Sequence, residues 1–143
     1  MFRYLLIVNK QGQTRFSQYY VPMDLSEHTA LEAELVRRCL SRPLTYCSFV
    51  DFRDHRAVYR RYASLFFILG IDSEENELAA HELIHQILLT IDAVFGSVCE
   101  LDIMTKNDVV HVILDEFIQN GALCETNKAS IIEMARHYIL TDE

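Results

Sequence analysis

From Met1 to Val8 the chain alternates like a strand, MFRYLLIV, and the residues that follow, NKQGQ, supply Asn9 and Gly12 as turn formers. TRFSQYYV resumes the extended pattern, so residues 1–21 read as a hairpin, closed by Pro22. A different period then begins. Asp24 and Glu27 are spaced as a capping box, and Leu31, Leu35, Val36, Cys39 and Leu40 recur at helical spacing until Pro43. Three more short strands fit residues 45–52, 56–63 and 64–71. Arg53 and Asp54 form a turn between the first two, whereas no glycine or proline separates the last two.

The second half carries helical periodicity. Asp72 and Ser73 open a long helix that runs through Phe95. Another extends from Asn107 or Asp108 to Asn120, where Gly121 stops it, and a third runs from near Thr126 to the end. The order β-β-α-β-β-β-α-α-α predicts an α+β domain, a five-stranded antiparallel sheet with helices packed on it. The chain has 143 residues, four glycines and two prolines, which suits one domain spanning 1–143 with a single core. We find no internal repeat, linker or low-complexity tract.

The long helix contains HELIH, with His81, Glu82 and His85 at the spacing that zinc peptidases use for two ligands and a general base. On a helical wheel at about 100° per residue, Ala80, Leu83, Ile84, Ile87, Leu88, Ile91, Val94 and Phe95 share one arc. His81 and His85 fall outside that arc, on the polar flank with Asp92. A catalytic zinc needs a third protein ligand and an open position. The extended motif fails, because Leu88 stands at its glycine and Ile91 at its last histidine. Glu100 is the remaining candidate ligand, and little chain is left to fold it back. The pattern therefore reads as a solvated helix flank, and no cofactor or metal is expected. Leu78 and Leu89 project from the face opposite the core arc, which argues for a covering partner.

Charge divides the chain. Residues 1–61 hold ten Lys/Arg against six Asp/Glu, a net +4, and residues 62–143 hold three against fifteen, a net −12. The total of −8 disfavours nucleic acid as a partner, and the asymmetry suggests one face for acidic ligands. Cys39, Cys47, Cys99 and Cys124 are scattered without a C-x-x-C pair, and nothing at the N-terminus resembles a signal peptide. Buried thiols in a reducing, cytoplasmic setting are the expectation.

Several strings carry a resemblance. NKQGQTR, YRRYASLFF, ENELA, FGSVCELDIM, VILDEF and NGALCETNKA together resemble the sigma (small) subunits of the heterotetrameric adaptor-protein complexes, collinearly from Met1 to about Ala135. VNKQGQTR, the Gln18-Tyr19-Tyr20 run, Val36 to Leu40, Asp102-Ile103-Met104 and NGALCETNKA look most like the fourth of these complexes, which works at the trans-Golgi network without clathrin. FGSVCELDI and ILDEF are also similar to the first, clathrin-associated complex.

The resemblance implies a longin-like fold and no enzymatic activity. It also implies assembly with a large chain of the epsilon, gamma or alpha type, a second large chain and a medium chain, peripherally on vesicle membranes. Sigma chains help bind acidic dileucine signals, [D/E]-x-x-x-L-[L/I], in cargo tails. Carried onto this sequence, Ala63, Leu65, Leu88, Val98 and Ile103 would line the leucine pocket, with Ser97 at its lip and Arg15, helped by a basic residue of the large chain, meeting the acidic residue. Two departures are visible: Leu88 stands where members often carry valine, and Ser97 where they often carry asparagine. Leu88 lies at the rim of the core arc, which would let it face both core and ligand. A free-standing longin-like regulator is the alternative without large chains.

Overall fold

The alternation of the first strand becomes two-sided burial once its neighbours are in place. β1 (Phe2–Asn9) pairs antiparallel with β2 (Thr14–Tyr19) on one side and with β5 (Leu65–Asp72) on the other. β4 (His55–Tyr62) and β3 (Cys47–Phe52) complete a five-stranded antiparallel sheet in the order β2-β1-β5-β4-β3. The computed structural model describes residues 2–22, 24–40, 47–52, 55–62, 64–72, 76–96, 98–119, 122–123, 132–133 and 135–136. The Arg53-Asp54 turn lies outside them. The boundary without glycine or proline is nonetheless set, with Tyr62 ending one strand and Leu65 beginning the next.

Each sheet face has its own core. Leu5, Ile7, Leu65, Phe67, Leu69 and Ile71 meet the helices of the second half. Tyr4, Leu6, Val8, Ala57, Tyr59 and Ile68 meet Leu31, Leu35, Val36 and Cys39 of α1 (Leu25–Leu40). Central β5 is covered on both sides, which is why it reads as an unbroken apolar run and not as an alternation. Phe2 breaks the parity. The β1–β5 register shifts between Phe2 and Tyr4, and this irregularity turns Phe2 into the same cluster as Leu5 and Ile7.

Gly70 is required by packing. It pairs across the ladder with Tyr4, whose ring fills the space a Cβ would need; even Tyr4 Cδ2 would lie only 2.8 Å from that atom. The ring so placed brings the Tyr4 hydroxyl to within 2.7 Å of His55 Nε2, a buried pair.

The long helix, α2 (Glu77–Phe95), starts later than the sequence suggests. Asp72 stays in β5 opposite His55, its carboxylate 2.7 Å from Arg3 Nε and held below the usual carboxylate range by that bond. Asn76 caps the helix instead, its side chain accepting from the Leu78 N–H at 2.9 Å. At the other end Gly96 adopts φ 65° and donates to the Asp92 carbonyl. Ala80, Leu83, Ile84, Ile87, Leu88 and Ile91 are buried, and Val94 and Phe95 pack partly against the same core. By length and composition α2 could cross a membrane, but its apolar arc lies on the sheet.

A short helix absent from the expected order, α3 (Glu100–Thr105), precedes α4 (Asn107–Phe117). α4 ends before Asn120 because Ile118–Gln119 (β6) pairs with Ala122–Leu123 (β7). The helix expected from near Thr126 falls largely outside the described residues; 132–133 and 135–136 are helical, and Ala135 is buried in the core. The expectation of buried thiols holds for Cys39 and fails for Cys99, which is exposed. Cys99 sits at the N-cap of α3, where its N–H donates to Asp102 Oδ2 at 3.0 Å.

Candidate functional site

A polar seam joins β4 to α2 and decides what HELIH does. The β4 side chains that point toward α2 are, in order, Arg56, Val58, Arg60 and Tyr62. Arg56 is ion-paired with Glu77, Arg60 Nη1 lies 2.7 Å from His85 Nδ1, and the Tyr62 hydroxyl donates to Asp92 Oδ1 at 2.9 Å. A guanidinium can only donate, so His85 Nδ1 accepts and its proton resides on Nε2. One of the two imidazoles a metal would need is thus engaged by a cation. Glu100, the candidate third ligand, is bound elsewhere, and the described residues contain no group of three His, Cys, Asp or Glu arranged to hold a metal.

His81 shares this seam. Its Nδ1 is buried without a partner among the described residues, and burial, then the charge of Arg60, lowers its pKa from the ordinary 6.5. The unfolded chain therefore binds a proton more readily than the folded one below pH 6.5. The contribution of neutral His81 is complete above that pH and is lost as the pH falls toward the lower folded value. Melting curves between about pH 7.5 and 5.5 should show the Tm falling with acidification, less steeply in His81→Gln. Equal slopes would remove His81 as the cause.

The second polar cluster surrounds Arg15. In the β1–β2 ladder Ile7 faces Phe16 but Val8 faces Thr14, so Arg15 is the extra residue of a bulge on an edge strand. Bulges re-aim side chains, and this one directs Arg15 to the N-terminus of α3. Arg15 Nε donates to Glu100 Oε1 at 2.7 Å and Nη2 to Gln13 Oε1 at 2.7 Å. Asn9, buried at the end of β1, organises the rest. Its Oδ1 accepts from the N–H groups of Gln11 and Gln13, and its Nδ2 donates to Gln13 Oε1 and, at 2.8 Å, to Glu100 Oε1. Asn107 Nδ2 donates to the Arg15 carbonyl. Bonds from Asn9 and then Arg15 hold the Glu100 carboxyl below the ordinary range.

Leu65, Leu88, Val98 and Ile103 belong to one apolar core cluster, which also holds Phe16, the neighbour of Arg15. They are 0%, 2%, 4% and 0% exposed, so the free chain keeps all four from solvent. Leu88 is accordingly a core residue and not a rim residue, because the wheel treats one helix alone and α3 and α4 share the same core. Asp92 fixes the loop leading to α3, accepting from the Val98 N–H at 2.9 Å while it accepts from Tyr62. Ala63 and Ser97 lie outside the described residues. The structure thus brings Arg15 to α3, the element that carries Ile103. Asn9, Gln13 and Glu100 complete this site; an Asn before a turn glycine is visible in sequence, whereas the six-residue helix that Glu100 opens is not.

The family model for the clathrin adaptor complex small chain matches residues 1–139. The AP-4 complex subunit sigma of Arabidopsis thaliana is 54% identical over 130 residues, covering 91% of each chain. The AP-4 complex subunit sigma-1 of Homo sapiens is 47% identical over 132 residues, covering 92% of each. A chain of a homology model of the full-length AP-3 complex in a stretched open conformation superposes with a TM-score of 0.80 at 26% identity, covering 99% of this chain and 95% of that one. The longin-like sheet, the collinear strings and these matches agree, and the chain belongs to the clathrin adaptor complex small-chain family.

Proposed function

We propose that this chain, a small subunit of an adaptor-protein complex and not an enzyme, helps a coat of the fourth type capture acidic dileucine signals in membrane cargo at the trans-Golgi network. The observation that carries the reading is the bulge that sets Arg15 beside α3, next to the cluster of Leu65, Leu88, Val98 and Ile103. With Nε and Nη2 already donating, Arg15 offers Nη1 to a carboxylate, and two buried leucines contribute roughly 1.5–3 kcal/mol each before the peptide's ordering cost. The result is weak binding, which many coats acting together on one membrane turn into retention. Capture requires this buried cluster to open and admit the leucines.

Large and medium chains are the partners in this reading. Leu78 is 79% exposed near the start of α2, as a surface awaiting cover would be. Co-expression with each type of large chain tests the assignment: a stable complex with the epsilon type supports it, one with the gamma type moves it to the first complex, and a monomer that ignores all of them refutes it.

Arg15→Ser removes the donors and leaves Glu100 a bare carboxylate facing the peptide's acid. Affinity of the assembled complex for an acidic dileucine peptide should fall by about five- to tenfold, with assembly intact. Unchanged affinity in a fluorescence titration would take Arg15 out of the site.

A further inference from the structure

We propose that Glu100 is a specificity-determining residue of the cargo site: paired with Arg15, it weakens the preference for a carboxylate upstream of the leucines and admits a carboxamide there. The inference rests on the dileucine reading and names a determinant within it.

Arg15 Nε and Asn9 Nδ2 both donate to Glu100 Oε1, at 2.7 and 2.8 Å, so a full negative charge already sits against the guanidinium. An incoming carboxylate meets a pair of nearly zero net charge, and its attraction to Arg15 is offset by repulsion from Glu100. The contact is no accident of two long surface side chains. Asn9 is buried, is fixed by two backbone N–H groups, and holds both Glu100 and Gln13, while Gln13 holds Arg15 from the other side. A network of this kind does not swing away without breaking several bonds at once.

What remains for a ligand is a donor beside an acceptor. Arg15 Nη1 and Glu100 Oε2 have no partner among the described residues, and Arg15 and Glu100 side chains are 26% and 29% exposed. A carboxamide fits this arrangement, its oxygen accepting from the guanidinium and its N–H₂ donating to Glu100 Oε2. A carboxylate can use only the donor half.

The test uses the assembled adaptor core and three fluorescent peptides: Glu with Leu-Leu, Gln with Leu-Leu, and Glu with Ala-Ala. Wild type should bind the Glu and Gln peptides within about threefold of each other, and Glu100→Gln should widen the preference for Glu to about tenfold or more. Gln retains an oxygen for Asn9 and Arg15, so the substitution removes charge and keeps the bonds. A wild-type preference for Glu above about tenfold overturns the proposal without any variant. An unchanged Glu-to-Gln ratio in Glu100→Gln, with Leu-Leu still bound over Ala-Ala, overturns it and leaves cargo capture standing. Failure of wild type to distinguish Leu-Leu from Ala-Ala overturns both.

Discussion

Gly70→Ala is expected to destabilise the chain by about 3 kcal/mol, lowering the Tm by roughly 10 °C. The new methyl would enter space held by the Tyr4 ring in the fully buried centre of the sheet. Neither side yields easily. Tyr4 is completely buried, tied to His55 through its hydroxyl, and packed edge-on against the same imidazole with ring centroids 5.4 Å apart. Moving the ring therefore breaks a buried hydrogen bond as well as straining the ladder. The assignment is checked by a double-mutant cycle. In a Tyr4→Leu background, which lacks the far ring atoms, the same glycine replacement should cost under about 1 kcal/mol. Equal costs in both backgrounds would mean that Gly70 matters for some reason other than Tyr4.

Leu88→Asp should have the larger effect and leave no folded chain to assemble. Leu88 is 2% exposed within the core shared by α2, β5 and α3. The change forfeits roughly 2–3 kcal/mol of apolar burial and strands a carboxylate without a partner, several kcal/mol more. A domain of this size has only about 5–15 kcal/mol in total. Loss of soluble protein, or of a cooperative melt, is the expected result. A Leu88→Asp chain that melts like wild type would show the side chain to be solvent-facing after all. For the cargo question Leu88→Val is the useful substitution. It costs about 1 kcal/mol and keeps the fold, so a change in peptide affinity can be read without a change in assembly.

These two expectations shape how the cargo site should be probed. The residues that the family resemblance assigns to the leucine pocket are also residues that hold this chain together. Any polar substitution at Leu65, Ile103 or Leu88 acts on stability before it acts on binding. Arg15 and Glu100 do not carry that burden, being partly exposed and joined to each other. Charge changes at this pair therefore separate recognition from folding more cleanly than apolar changes below it.

Much of the architecture was legible because it depends on local period. The five strands, α1 and the core arc of α2 follow from alternation, from the short apolar run of β5 and from 3.6-residue spacing, which a single segment displays by itself. The boundaries that moved did so where a distant partner intervened. Asp72 looks like a helix start until Arg3, 69 residues away, takes its carboxylate into the sheet. Asn120 looks like a helix end until β7 pairs with β6 and stops α4 at Phe117. α3 is short enough to leave almost no periodic signal. Gly70 was available as a clue, since an isolated glycine within a strand marks a close approach, but the ring that approaches it belongs to another strand.

By itself the sequence determined the class of fold, the family strings and the weakness of HELIH as a metal motif, all of which are properties of short stretches. Only the tertiary structure decided what the charged side chains do. It gave His85 to Arg60 and Glu100 to Arg15, across 25 and 85 residues. It also closed Leu88 into the core and aimed Arg15 through a bulge. Ion pairs and bulges have no period along the chain; they are set by which strand edge and which helix end meet, and that is known only when the sheet has formed.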